Sequence, residues 1–110
     1  MNYKMYINYI NDYKDLGSAE QLLGQIGFPP DEPLTAEGLS TAVNIIAAVA
    51  ELNVKKLIEL SGLTMRSFAA KYQIPYRTVQ DWCSGAREPA DYLPMLIGWE
   101  MISELPTENI

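Results

Sequence analysis

The sequence predicts an all-α fold, a compact bundle of short helices. Two observations lead to this prediction. Apolar residues recur at helical spacing through most of the 110 residues, as they do on the buried face of a helix. Helix start signals recur too, since Ser18, Thr35 and Thr64 each precede such a pattern and can accept a hydrogen bond from free backbone N–H groups. A chain of this length forms one modest core, so we expect a single compact unit.

The first thirteen residues fit two templates. Alternate residues from Tyr3 to Tyr9 suit a strand, but the longer pattern is a helical stripe, and we favour the helix. The stripe comprises Tyr3, Tyr6, Ile7, Ile10 and Tyr13. The four tyrosines of this segment either cover the core of a small domain, which we favour, or form an exposed surface for a partner.

A capping box and a proline-rich segment follow. Ser18 and Gln21 can satisfy each other's backbone donors, which predicts a helix from Ala19 to about Ile26 that ends at Gly27. Three prolines between residues 28 and 33 predict a stiff, extended linker. We therefore expect an N-terminal helical appendage with its linker at residues 1–33, a helical domain at 34–104 and an acidic tail at 105–110.

The most apolar helix is predicted at residues 36–52, with Thr35 as its cap and Leu34 packed on Leu39. Its alanines suit close helix packing, and we interpret it as a buried core helix, with a dimer seam as the alternative. Asn53 either breaks this helix or only notches it. A further helix is predicted from Val54 to the Ser61-Gly62 pair.

Residues 63–83 are predicted to form two short helices and a tight turn. Thr64 can cap a helix that begins at Met65. Pro75 disfavours an α conformation at Ile74 but suits the first turn of a helix, so a second helix is expected over about residues 75–83. Its spacing places Val79 and Trp82 towards the core. The side chains expected to point away are Tyr76, Arg77, Gln80 and Asp81.

A last helix is predicted after a loop at residues 84–89. Gly85 can adopt the left-handed conformation that ends the preceding helix, Asp91 can cap the last one, and Pro94 falls in its first turn. This helix has almost no polar side. Such a face indicates either the centre of a small bundle or a contact between subunits.

Residues 54–102 resemble the helix-turn-helix domain of small phage-repressor regulators of the Cro-like, XRE type. The positions that carry the resemblance are Thr64, Ala69, Ile74, Thr78, Val79, Trp82, Gly85 and Pro89. The chain departs from the family pattern at Gln73, where the turn favours glycine, and at Met65, which replaces a polar residue that usually touches a phosphate. The segment 83–86 also lacks the charges often found there, and the last two departures imply fewer contacts to the DNA backbone.

The resemblance implies that the second helix lies in the major groove of duplex DNA. Base readout is then expected from Tyr76, Arg77, Gln80 and Asp81, and phosphate contacts from Thr64, Arg66, Lys71 and Arg87. Arg77 can donate two hydrogen bonds to guanine, and Gln80 can pair with adenine. Asp81 can accept from cytosine, or it can repel phosphates when the register is wrong.

The net charge of −6 opposes DNA binding, which relies on Lys and Arg. Residues 54–90 nevertheless carry six basic and three acidic side chains, whereas residues 1–53 carry two basic and seven acidic ones. Residues 91–110 carry four acidic side chains and no basic one. The positive charge therefore coincides with the repressor-like motif. Because the segments around it are acidic, we expect low non-specific affinity for DNA.

Composition argues against several other classes. There is no histidine and one cysteine, Cys83, so His-based catalysis, the usual zinc sites and an internal disulfide are excluded. We expect no enzymatic activity and no cofactor or metal. No apolar run approaches the ~20 residues of a membrane span, and no secretion signal is visible, which favours a cytoplasmic protein.

Two functional hypotheses follow. The first is a sequence-specific DNA-binding regulator, a homodimer on a two-fold operator that represses its own operon, from a bacterium or a mobile element such as a phage. The second is a protein-interaction module on the same scaffold, such as an antitoxin or an anti-CRISPR-like inhibitor, whose acidic surface binds a basic protein.

Overall fold

The computed structural model describes residues 1–27, 29 and 31–107. Of the predicted linker, Phe28 and Pro30 lie outside the described residues, as do residues 108–110 of the predicted tail. Within the described part, helices are the regular structure and one isolated bridge joins Leu34 to Thr107. The helices are α1 (Tyr3–Leu16), α2 (Ala19–Ile26), α3 (Ala36–Ala50), α4 (Val54–Ser61), α5 (Met65–Lys71), α6 (Tyr76–Ser84) and α7 (Tyr92–Ser103). The all-α prediction is confirmed.

Side-chain caps begin several of these helices, as predicted. The hydroxyl oxygens of Ser18, Thr35 and Thr64 accept from the backbone N–H groups three residues further on, at 3.0, 2.9 and 3.1 Å. Asn53 caps α4 in the same way, at 3.0 Å from the Lys56 nitrogen, so it breaks the helical run and does not merely notch it. The predicted cap at Asp91 is wrong, because its backbone is already helical (φ −52°, ψ −36°) and its side chain makes no capping bond.

Helix α3 is the centre of the bundle, and α1, α2, α4 and α7 pack around it. The predicted helix at the N-terminus is confirmed, with Tyr6, Ile10 and Tyr13 buried. The Tyr6 hydroxyl donates to the Met95 carbonyl at 2.7 Å, which ties α1 to α7. The domain boundary at residue 33 stays a prediction. In the structure, α1, which precedes this boundary, packs against α3, which follows it.

A glycine allows α7 to approach its neighbours closely. A β-carbon built on Gly98 would lie 2.5 Å from Val49 Cγ2 in α3 and 2.6 Å from the Tyr6 hydroxyl in α1. Any larger residue would have to push these helices apart. No helix among the described residues has the length and apolar character needed to cross a lipid bilayer.

Candidate nucleic-acid interface

The turn between α5 and α6 is tight and is closed by two backbone hydrogen bonds. The Ile74 nitrogen donates to the Ala69 carbonyl at 2.9 Å and the Gln73 nitrogen to the Ala70 carbonyl at 3.3 Å, which is the Schellman arrangement. Gln73 is left-handed, with φ 57°, at the position where the family pattern favours glycine. The turn therefore forms with a non-glycine residue in a conformation that costs an L-residue ~1–2 kcal/mol.

Helix α6 has one face on the core and one in solvent. Val79 is buried and Arg77 and Gln80 are exposed, as predicted, whereas Tyr76 and Asp81, which were also predicted to point away, are half-buried. Trp82 was predicted to be a core residue, and it is half-buried at the edge of the core instead. Val79 is therefore the fully buried anchor of α6, and Trp82 covers its flank.

Two predicted DNA contacts from different helices touch each other. The Arg66 guanidinium carbon of α5 lies 4.2 Å from the centre of the Tyr76 ring at the start of α6, which is cation–π geometry. Thr64, at the start of α5, accepts from the Ser67 nitrogen and also donates to the Ser67 hydroxyl at 3.0 Å. This end of α5 thus brings Arg66 beside α6.

Asp81 lies between two arginines. Arg77 Nε donates to Asp81 Oδ1 at 3.3 Å, one helical turn away, and Arg87 Nε lies 4.0 Å from Asp81 Oδ2. The chain returns towards α6 because Gly85 is left-handed (φ 83°) and the Arg87 nitrogen donates to the Asp81 carbonyl at 3.3 Å. The Arg77–Asp81 pair was readable from i,i+4 spacing, but the sequence reasoning missed it.

Lys71 faces a different surface. Its ammonium lies 2.9 Å from Glu104 and 3.7 Å from Glu100, both on or next to α7. The hydrogen bond to Glu104 raises the Lys71 pKa. Burial and a 2.5 Å hydrogen bond to Glu100 likewise raise the pKa of Tyr72. The phosphate contact at Lys71 stays a prediction, and these acids already partly neutralise the charge of Lys71.

An open groove of about 540 Å³ runs beside α6, between α4 and the start of α5. Ile58, Met65 and Cys83 supply its apolar lining, and Lys55 and Gln80 lie on it too. Burial raises the pKa of the Cys83 thiol, with Lys55 acting in the opposite direction. No sequence signal marked this groove, because its walls come from three separate helices.

No family model, curated protein or solved structure matches this chain. The resemblance of residues 54–102 to phage-repressor regulators therefore stays a prediction. Among the described residues, no group of three or more His, Cys, Asp or Glu side chains is placed to hold a metal ion.

Proposed function

We propose that this protein is a sequence-specific DNA-binding regulator that reads the major groove with α6. The observation that carries the proposal is the division of α6 into a buried face at Val79 and an exposed face at Arg77 and Gln80. Arginine can bind guanine and glutamine can bind adenine through paired hydrogen bonds. Helix α6 has nine residues and is therefore roughly 14 Å long, which is enough to follow several base pairs. The major groove, about 12 Å wide, admits an α-helix.

The neighbouring cations support the proposal by their position. Arg66 stacks on Tyr76 at the start of α6, and Arg87 returns to α6 near its end. A helix laid in the groove has a phosphate backbone on each side, so cations at both ends of α6 suit the two strands. Thr64 can add a polar contact at the start of α5. Lys71 has the weakest support among the predicted phosphate contacts because of its acidic neighbours.

A homodimer is part of the proposal, since a single α6 reads only a half-site. Tyr92 and Leu96 of α7 are 58% and 51% exposed and lie one helical turn apart, so they offer apolar area for a second copy. The role as a repressor of its own operon follows only from the family resemblance.

The test is a selection from random duplex DNA at two salt concentrations, followed by titration of the selected site. Arg77→Ala should weaken specific binding by ~1–3 kcal/mol and relax the preference at one base pair. Lys56→Ala is the matched control, because it removes one exposed positive charge from α4, where Lys56 pairs with Glu59. Equal behaviour of the two variants would show that Arg77 acts only through its charge.

The second candidate is the protein-interaction module. Pairing of Lys71 with Glu100 and Glu104 reduces the basic surface, and the segments on both sides of residues 54–90 are acidic. One basic protein captured at stoichiometric ratio, together with a random-DNA selection that enriches no site, would favour this candidate.

A further inference from the structure

We infer that Asp81 is a positioning residue, which orients Arg77 and Arg87 towards DNA and does not itself read a base. This inference rests on the proposed function. It replaces the predicted role of Asp81 as a hydrogen-bond acceptor for cytosine.

The relative exposure of the three side chains is the first step. The side chain of Asp81 is 21% exposed, whereas those of Arg77 and Arg87 are 84% and 74% exposed. The carboxylate is therefore set back, and the two guanidinium groups project beyond it. A duplex that approaches α6 meets the arginines first, and the short Asp side chain has little reach past them.

The atoms used in the contacts are the second step. Both arginines approach Asp81 through Nε, at 3.3 Å to Oδ1 and 4.0 Å to Oδ2. Guanidinium has five N–H donors, and only one of them is on Nε. A contact through Nε leaves the terminal nitrogens of Arg77 for guanine and those of Arg87 for phosphate oxygens.

The backbone around Asp81 is the third step. Its carbonyl oxygen accepts from the Arg87 nitrogen at 3.3 Å and from the Ser84 hydroxyl at 3.2 Å. The left-handed Gly85 permits this return of the chain. Asp81 thus holds Arg77 by a hydrogen bond to its carboxylate, and it holds the Arg87 backbone by its carbonyl oxygen while the carboxylate lies at ion-pair distance from the Arg87 guanidinium.

Two effects on binding follow from this arrangement. Holding a long side chain in a preferred orientation before binding reduces the ordering that DNA must impose. The negative charge of the carboxylate also weakens the attraction between the two arginines and DNA phosphates. DNA sequences that do not offer the right hydrogen bonds are therefore bound more weakly. Asp81 should therefore raise the ratio of specific to non-specific affinity while lowering non-specific affinity.

The experiment compares the full chain with Asp81→Asn and with the control Glu88→Gln. Glu88 is an exposed acid of the same basic segment, and among the described residues it forms no ion pair. Each variant removes one negative charge from that segment. The readouts are affinity for the selected site, affinity for unrelated duplex DNA, base preference at every position, and the NMR signals of the arginine Nε–H groups without DNA.

Asp81→Asn should lower the specific-to-non-specific ratio by about threefold to tenfold, the effect expected when ordered side chains are released, and should raise non-specific affinity. It should also shift and broaden the Nε–H signals of Arg77 and Arg87. Glu88→Gln should raise both affinities together and leave the ratio and the signals unchanged.

Three results would overturn the inference. An unchanged ratio in Asp81→Asn would show that the carboxylate acts only through its charge. Loss of preference at a base pair other than the one that Arg77→Ala relaxes, with the remaining positions retained, would show that Asp81 reads a base directly. Nε–H signals of Arg77 and Arg87 that are unchanged in Asp81→Asn would show that the carboxylate does not orient these two side chains. If the unmodified protein enriches no DNA site, the proposed function fails instead, and the NMR signals report separately on the arginine contacts.

Discussion

Gly98→Ala should destabilise the protein, although glycine-to-alanine changes within helices usually stabilise. Alanine improves helix propensity by about 1 kcal/mol. At Gly98, however, the added carbon would lie 2.5 Å from Val49 Cγ2, 2.6 Å from the Tyr6 hydroxyl and 3.2 Å from Ile45 Cγ2. Overpacking of this kind costs ~1–3 kcal/mol. The net loss expected in the free energy of unfolding is about 1 kcal/mol, which lowers Tm by roughly 4 °C.

Gly24→Ala is the matched control, because Gly24 lies inside α2 and a β-carbon there meets nothing within 4 Å. It should raise the free energy of unfolding by about 0.5–1 kcal/mol. Urea titrations followed by circular dichroism measure both variants. A Tyr6→Phe background, which removes the hydroxyl from the crowded space, should reduce the loss caused by Gly98→Ala. If Gly98→Ala stabilises as much as Gly24→Ala, the close packing of α7 on α1 and α3 is incorrect.

Three further predictions concern the turn, the cations and a buried tyrosine. Gln73→Gly should raise the free energy of unfolding by about 1 kcal/mol in urea titration, because glycine adopts the left-handed conformation without strain; an unchanged value would argue against that turn. Arg66→Ala should reduce the slope of log affinity for DNA against log salt by about 1. Lys71→Ala should leave the slope almost unchanged, because Glu100 and Glu104 already hold its ammonium. If Arg66→Ala and Lys71→Ala change the slope equally, the proposed difference between the two cations is wrong. The hydrogen bond to Glu51 and burial raise the pKa of Tyr13 from 10.0 to about 12. The contribution of Tyr13 to the free energy of unfolding is therefore complete below pH 10.0 and is lost as the pH rises through about 12. In Tyr13→Phe, the free energy of unfolding measured across that range should not show this loss.

Much of the candidate interface was predictable from local sequence. Thr64, Pro75 and Gly85 mark where α5 and α6 begin and end, and each acts within a few residues through one hydrogen bond or one backbone preference. The spacing of Val79 from Arg77 and Gln80 separated the buried face of α6 from its exposed face. These features need no knowledge of distant segments, because the helical repeat fixes which side chains share a face.

The tertiary structure decided what the exposed side chains meet. Lys71 was predicted to contact phosphate, but α7 places Glu100 and Glu104 beside its ammonium from about thirty residues further along the chain. Helical spacing assigned Trp82 to the core, yet the neighbouring helices cover it only partly. Local sequence determined where α5 and α6 begin and end and which face of α6 is apolar, because caps and periodicity act over one or two turns. Helix packing determined the pairing of Lys71 with Glu100 and Glu104, because ion pairs between helices depend on residues that become neighbours only in the folded chain.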